Sequence, residues 1–293
     1  MNTAPIRKIV DEINQDCPGS IDIQKQTVKI FTVDQEIEMV VERLETQQTA
    51  LYTCRINKLY NQWRKWVSSF PTITPYYAVK CNPGIPVIKF LAKLGVNFDC
   101  ATMREIEEVL KCGVSPDRII YAHPVKHPKH LERCKELGVK FSVVDSPEEV
   151  LKIKKYFPEM VVLVRLKIGN KKSKIELSDK FGATLENAMK TIDTCAENQI
   201  NLDGICFHVG YYNTDIYKYT DALEFTKDVR DHGVSKGFAM KTIDIGGGFL
   251  SYNIDGYNFE QCAKEVTNAL IKLFGKEIEE NKINLISEPG TFF

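Results

Sequence analysis

The 293-residue chain carries 39 Lys plus Arg and 39 Asp plus Glu, so its formal net charge is zero. Affinity for nucleic acid rests largely on neutralising phosphates, and this balance argues against such a partner. Hydrophobic residues at 43% with 27% charged make an ordinary globular composition, and no apolar stretch approaches the length of a membrane span.

The first segment, MNTAPIRKIVDEINQDC, contains acids and no apolar centre, so it does not read as a signal peptide. The nine cysteines are odd in number and form no C-x-x-C pair, which points to reduced thiols and a cytoplasmic location. Residues 1–50 stand apart as a β-rich N-terminal segment. Within it, SIDIQKQTVKIFTV (20–33) reads as short strand material, and 34–49 is polar and of ambiguous type.

From residue 51 to 293, apolar runs of strand length alternate with helical periodicity, with Gly or Pro at many joints. The strand candidates are YYAVK (76–80), NFDCA (97–101), IIYA (119–122), FSVVD (141–145), VVLVRLK (161–167), GICFHVG (204–210), KTIDIGG (241–247) and NLISEPG (284–290). Most are apolar nearly throughout, as strands covered on both faces are.

Helices fit between them. ATMREIEEVLKCG has Thr102 and Glu105 at capping-box spacing and ends at Gly113. SPEEVLKIKKYF offers Ser146 as N-cap, Pro147 at the first helical position and Glu149 to close the box. NFEQCAKEVTNALIKLFG repeats the spacing with Asn258 and Gln261 and is expected to stop at Gly275, and HPKHLERCKELG and TLENAMKTIDTCAENQ carry the same apolar stripe. Eight strand–helix alternations favour a (β/α)8 barrel over the competing open doubly wound sheet, because about 240 residues is close to typical barrel length. The polar, lysine-rich connection 167–182 is expected on the active-site face as a solvated mobile loop. HPVKHPKH (123–130) reads as a solvated loop and helix start rather than a metal site, because prolines interrupt it and no nearby carboxylate completes a shell.

Lys80, Asp99, Arg165, His208, the glycines Gly246, Gly247 and Gly248, and Glu288 fall at or near the C-terminal ends of their strands. A barrel gathers such positions around one mouth, where catalytic groups are expected. The glycine run suits either a backbone phosphate cradle or a tight turn, with position favouring the cradle. A strand-end lysine with a phosphate cradle suggests pyridoxal phosphate, whose aldehyde a lysine amine can attack. The mouth is expected to lower the pKa of Lys80 and favour its nucleophilic form. Glu288 is placed to hold the pyridine nitrogen protonated, and His208 either offers a ring face for stacking or is a satisfied strand-end histidine. Asp99 in an apolar strand calls for a partner such as Lys80 or Arg165, and Glu105 is explained by its capping box.

These segments, in this order, resemble the ornithine decarboxylase family of pyridoxal-phosphate decarboxylases, built on an alanine-racemase-like TIM barrel. PYYAVKCN, FDCA, RIIYAHPVK, VVLVRLK, KFGATLENA, FHVG, DIGGGF and SEPG carry the resemblance from about Leu51 to Gly290. It implies that Lys80 bonds to the cofactor aldehyde, His208 stacks on the ring, and Glu288 pairs with the pyridine nitrogen. Gly246, Gly247 and Gly248 would hold the phosphate and Gly290 would also bind the cofactor, with Asp99, Glu105 and Arg165 in support. The implied reaction is decarboxylation of a basic amino acid, with ornithine to putrescine, a step of polyamine synthesis, as the leading case.

The resemblance also implies a homodimer, or a heterodimer with a full-length relative, and an antizyme-like regulator engaging 118–141. Tyr211 stands where the family has a small serine, and Thr291 where it has an arginine. The sequence stops at Phe293, so the β-rich C-terminal domain of such proteins is expected to be missing. A non-catalytic relative similar to antizyme inhibitor is the alternative reading, and a racemase-type barrel a third.

Overall fold

Residues 54–169 and 180–293 are described by the computed structural model, together with positions 6, 8, 9, 38, 41 and 42. The strand reading of 20–33 lies outside the described residues, as do most of 34–49 and the middle of the long connection, 170–179. The chain divides into two compact units, Met1–Asn61 and Gln62–Phe293, and the second contains every strand described below.

Helix α1 (Ile56–Ser69) leads into β1 (Ile73–Ala78), after which strands and helices alternate. The order is α2 (Ile85–Lys93), β2 (Asn97–Cys100), α3 (Met103–Lys111), β3 (Ile119–Tyr121), α4 (Pro128–Leu137), β4 (Phe141–Val144) and α5 (Pro147–Tyr156). It continues with β5 (Val161–Leu166), α6 (Leu185–Asn198), β6 (Asn201–Phe207), α7 (Lys218–Ser235), β7 (Thr242–Asp244), α8 (Phe259–Glu279) and β8 (Asn284–Ser287). The eight strands are parallel and close into a barrel in chain order. Pairing of β1 with β8, Ile73 opposite Leu285 and Pro75 opposite Ser287, excludes the open sheet.

Most strands end earlier than their apolar runs suggest. β1 stops at Ala78, and Lys80 sits in a 3₁₀ turn, Val79–Cys81; β7 stops at Asp244 and β8 at Ser287. Beyond these points the regular ladder gives way to single backbone bonds, Glu288 N to Gly246 O at 2.9 Å and Ala78 N to Pro289 O at 3.1 Å, and the polar strand-end residues stand above the sheet.

Side chains inside the barrel come from alternate positions of each strand. Tyr76, Ile120, Ala122, Val143, Leu163, Cys206 and Ile286 make one buried cluster. Outside the barrel, Trp66 is fully buried and donates to the Ile73 carbonyl at 3.1 Å. It packs edge-on against Phe249 and Phe292 at 5.4 and 5.3 Å.

The helix ends follow local chemistry, with two departures. The α3 box is complete: Glu105 N donates to Thr102 Oγ1 at 3.2 Å, and Glu105 Oε2 accepts from Thr102 N at 3.0 Å. At α5, Ser146 caps the Glu149 N–H, but the Glu149 carboxylate does not close the box. It turns instead to Lys126, accepting from its backbone N at 3.0 Å and its Nζ at 3.2 Å, and to Lys152 Nζ at 2.5 Å. At α8, Asn258 caps Gln261 N at 2.8 Å, and the helix runs through Gly275 to Glu279. Gly275 keeps helical φ there because the buried face, Val266, Leu270 and Phe274, carries the helix on.

Lys126 corrects the reading of 123–130 as a solvated loop, for it is only 1% exposed. Its Nζ donates to the Val143 carbonyl at 2.7 Å and the His123 carbonyl at 3.1 Å, so this ammonium staples the β3–α4 loop to β4 and α5. Burial pushes the amine down to about 8, against the pull of Glu149. Removing one partner of a buried pair strands the other charge, a loss of about 3–5 kcal/mol. Glu149→Ala is therefore expected to lower unfolding stability by about that amount in urea titration, and adding Lys126→Met is expected to recover most of it.

Candidate active site

The alternation that fills the barrel also builds its mouth. Tyr76, Leu163, Cys206 and Ile286 point inward, so the next inward positions up the same chains are Ala78 then Lys80, Arg165, His208 and Glu288. Asp99 is in register with inward Ile120, and Asp244 lies between inward Cys206 and Ile286. An apolar layer is thus capped by a layer of ionisable groups.

Asp99 is 1% exposed, and its Oδ2 takes Lys80 Nζ at 2.7 Å; Lys80, not Arg165, is the partner. The Lys80 side chain is 56% exposed and reaches the mouth. Burial works to depress its amine, but Asp99 and Glu288 outweigh that and leave it raised. The expected depression fails because the mouth that desolvates the amine also encloses carboxylates. Asp99 Oδ1 and Asp244 Oδ2 are buried and find no donor of fixed position among the described residues.

His208 Nδ1 accepts from Gly210 N at 2.9 Å, which leaves Nε2 to carry the proton of a neutral ring. Burial, with Arg165 and Lys80 adding, pushes the imidazole down to about 3, so it is neutral at physiological pH. Gly246 and Gly248 take φ of +65° and +102°, conformations that favour glycine. A Cβ at Gly247 would sit 2.5 Å from the Glu288 carbonyl oxygen and 3.2 Å from His208 Nε2. One at Gly248 would sit 2.5 Å from the Gly210 carbonyl oxygen. Close packing between β6 and β8 therefore demands these glycines whether or not an anion binds.

The β8 tail lies against the lysine turn. Ala78 N donates to the Pro289 carbonyl at 3.1 Å, and a Cβ on Gly290 would meet Ala78 and Cys81 Cβ at 3.2 Å. Glu105 does not join Lys80: its carboxylate serves α3, accepting from Ala101 N at 2.6 Å besides Thr102 N. Arg165 lies over the Phe181 ring at 5.1 Å, and His123 meets the same ring edge-on at 5.9 Å.

Sequence reasoning missed Asp145 and Asp244. Asp145 Oδ2 accepts from Gly182 N at 3.0 Å and pins the returning end of the long connection. Asp244 is fully buried and accepts from Gly246 N through Oδ1 at 2.8 Å. Both carried the signal that singled out Lys80, an ionisable residue ending an apolar run. Tyr211 is 39% exposed, its ring 6.2 Å from that of Tyr212, and Thr291 is exposed.

Residues 56–293 match the family described as pyridoxal-dependent decarboxylase, pyridoxal binding domain. The chain belongs to this family. Among similar proteins, the ornithine decarboxylase of Schizosaccharomyces pombe is 36% identical over 260 residues, covering 88% of this chain and 58% of that one. The chain thus spans little more than half the length of this relative. The arginine decarboxylase of Paramecium bursaria Chlorella virus, solved bound to agmatine, superposes with a TM-score of 0.82 at 30% identity, covering 88% of this chain and 68% of that one. The lysine/ornithine decarboxylase of Vibrio vulnificus, solved with cadaverine, gives a TM-score of 0.79 at 30% identity, covering 90% and 68%.

The family is defined by a pyridoxal binding domain, and the residues present fit pyridoxal phosphate as the cofactor. An amine stands at the mouth, the buried Asp99 Oδ1 has no donor among the described residues, and a neutral imidazole borders the glycine run. Because the folded-state pKa of His208 is depressed, the unfolded chain binds a proton here below about pH 6.5 that the folded chain refuses. His208 therefore withdraws stability as pH falls from there toward 3. His208→Gln is expected to lose less melting temperature than wild type between neutral pH and about pH 5; equal losses in thermal melts would refute this.

Proposed function

We propose that this decarboxylase domain binds pyridoxal phosphate at the barrel mouth and removes the α-carboxylate of a basic amino acid, L-ornithine giving putrescine being the leading case. The observation that carries this reading is the Lys80–Asp99 pair at 2.7 Å, an exposed-side amine anchored to a buried carboxylate. Family membership and the names of the relatives, all decarboxylases of basic amino acids, support it.

In this mechanism the bound cofactor supplies an aldehyde for amines and a conjugated ring that takes up the electron pair left when CO2 departs. Lys80 is the residue that bonds to it. Asp99 aims the amine and stabilises its ammonium form, so the lysine must pass a proton on before it can attack. His208, neutral and fixed by Gly210 N, offers a ring face without adding a charge to be neutralised. Glu288 presents a carboxyl to the ring nitrogen, and Arg165 adds positive charge on the opposite wall. Gly246, Gly247 and Gly248, whose backbone admits close approach, would hold the phosphate, and Gly290 would border the cofactor beside the lysine turn. Glu105 supports the site only through α3, whose first turn follows Asp99 by a few residues.

No helix among the described residues is long and apolar enough to cross a membrane. The cysteines described are all free, and on that reading the cytoplasm is the proposed location. The proposed assembly is a dimer, with itself or with a longer relative, and an antizyme-like regulator is a proposed partner at 118–141.

Reduction of the cofactor-treated chain with borohydride, followed by peptide mapping, is expected to place the label on Lys80. Lys80→Ala is expected to take no label, to release no CO2 from carboxyl-labelled ornithine on its own, and to add none to what a longer relative mixed with it releases. Absence of label on the wild-type chain at saturating cofactor would overturn the reading.

A further inference from the structure

We propose that Asp244 is a positioning residue of this site, sharing a single proton with Glu288 so that the Glu288 carboxyl is held toward the cofactor's ring nitrogen. The inference deepens the decarboxylase reading and rests on it for the identity of the ring.

Asp244 is the last residue of β7 and is fully buried. In register it faces Ile286 of β8, and Glu288 lies one inward position further along that chain. The two carboxyls are thus neighbours on adjacent chains, pointing into the same space. One glycine holds both: Gly246 N donates to Asp244 Oδ1 at 2.8 Å, and Gly246 O accepts from Glu288 N at 2.9 Å. Ser287 Oγ donates to that same carbonyl at 2.6 Å and locks the turn.

Asp244 Oδ2 has no N–H or other fixed donor among the described residues, yet Glu288 stands within hydrogen-bonding reach. Two ionised carboxylates cannot bond to each other, and a bare buried oxygen is costly. A proton between them satisfies both.

The charges facing the pair lead to the same count. Lys80 beyond β1 and Arg165 on β5 are the cations; Asp99 on β2 is the opposing carboxylate and is bonded to Lys80; Cys206 on β6 and His208 just beyond it are neutral. With one proton kept on the Asp244–Glu288 pair, two positive charges meet two negative ones, Asp145 being turned away to Gly182 N. With none kept, an excess negative charge is enclosed. Burial moves both groups accordingly: Asp244 goes to about 7, with Asp99 adding and the Gly246 N–H and Glu288 contacts pulling back, and Glu288 goes well above its ordinary range, with Asp244 and Asp99 adding.

Glu288 would be the residue to give that proton to a bound neutral ring nitrogen, its O–H bond exchanged for an N–H bond on the ring and its carboxylate left beside the resulting cation. Asp244 strengthens that transfer's product, because its own negative charge raises the proton affinity of the Glu288–nitrogen contact.

The test separates this from the parent reading by starting without cofactor. Infrared spectroscopy of the wild-type chain at neutral pH is expected to show the C=O stretch of a buried protonated carboxyl, and its absence would overturn the inference. Asp244→Asn keeps the acceptor for Gly246 N and gives Glu288 an N–H instead of a shared proton, so the band is expected to disappear. Glu288→Gln, a second variant should the first fail to fold, is expected to lose it too. Persistence in either folded variant would overturn the pair. With cofactor added, the pH midpoint of its absorbance spectrum is expected to fall by about one unit or more in Asp244→Asn, and an unmoved midpoint would overturn the positioning role. Lys80 labelling reports on the parent reading alone: a wild-type band with no label sinks that reading, while a label with no band sinks this one.

Discussion

Closing β8 onto β1 is the constraint on which the rest of the molecule depends. Those strands lie at opposite ends of the described barrel sequence, and only their pairing sets the β8 tail against the turn that bears Lys80. The Ala78–Pro289 hydrogen bond joins the two chains, and a Cβ on Gly290 would stand only 3.2 Å from those of Ala78 and Cys81, so the seam is tight. Glu288 consequently comes close enough to Lys80 for each to shift the other's ionisation. A barrel left open between β1 and β8 would part the lysine from the acid opposite it.

Once closed, the barrel has an electrostatic problem that its chain solves locally. The inward alternation delivers more carboxyls than cations to a small volume with little water. Lys80 neutralises Asp99 directly, Asp145 is turned toward the returning loop at Gly182, and Asp244 and Glu288 face each other. A buried cation, Lys126, is kept out of this ensemble: carbonyls of His123 and Val143 and the Glu149 carboxylate take it up. Burying ion pairs is seldom a net gain in stability, so these groups are better understood as fixing where loops and carboxyls stand.

Much of this was legible in the residues. The strand–helix alternation, the Thr102 and Asn258 caps and the cluster Lys80, Asp99, Arg165, His208 and Glu288 all follow from short-range patterns, because capping and inward alternation are set by neighbours a few positions away. Lys126, Glu149 and Asp244 were not legible. Their roles depend on partners more than twenty positions distant, or on an adjacent strand. Glu149 has the spacing of a capping box, and a buried ammonium won its carboxylate. Gly275 has the look of a stop, and a continuous apolar face carried α8 past it. The Lys80 amine was expected low from desolvation alone, and the carboxylates enclosed with it reversed the sign.

By itself, the order of apolar runs, glycines and strand-end polar residues determined the alternation of elements and the family of the site, because those depend on local periodicity and residue type. Closure of the barrel, the choice of Lys80 as the partner of Asp99 and the meeting of Asp244 with Glu288 were decided only in three dimensions. Register between strands far apart in the chain sets which charges face one another, and a charge takes its ionisation from whatever faces it.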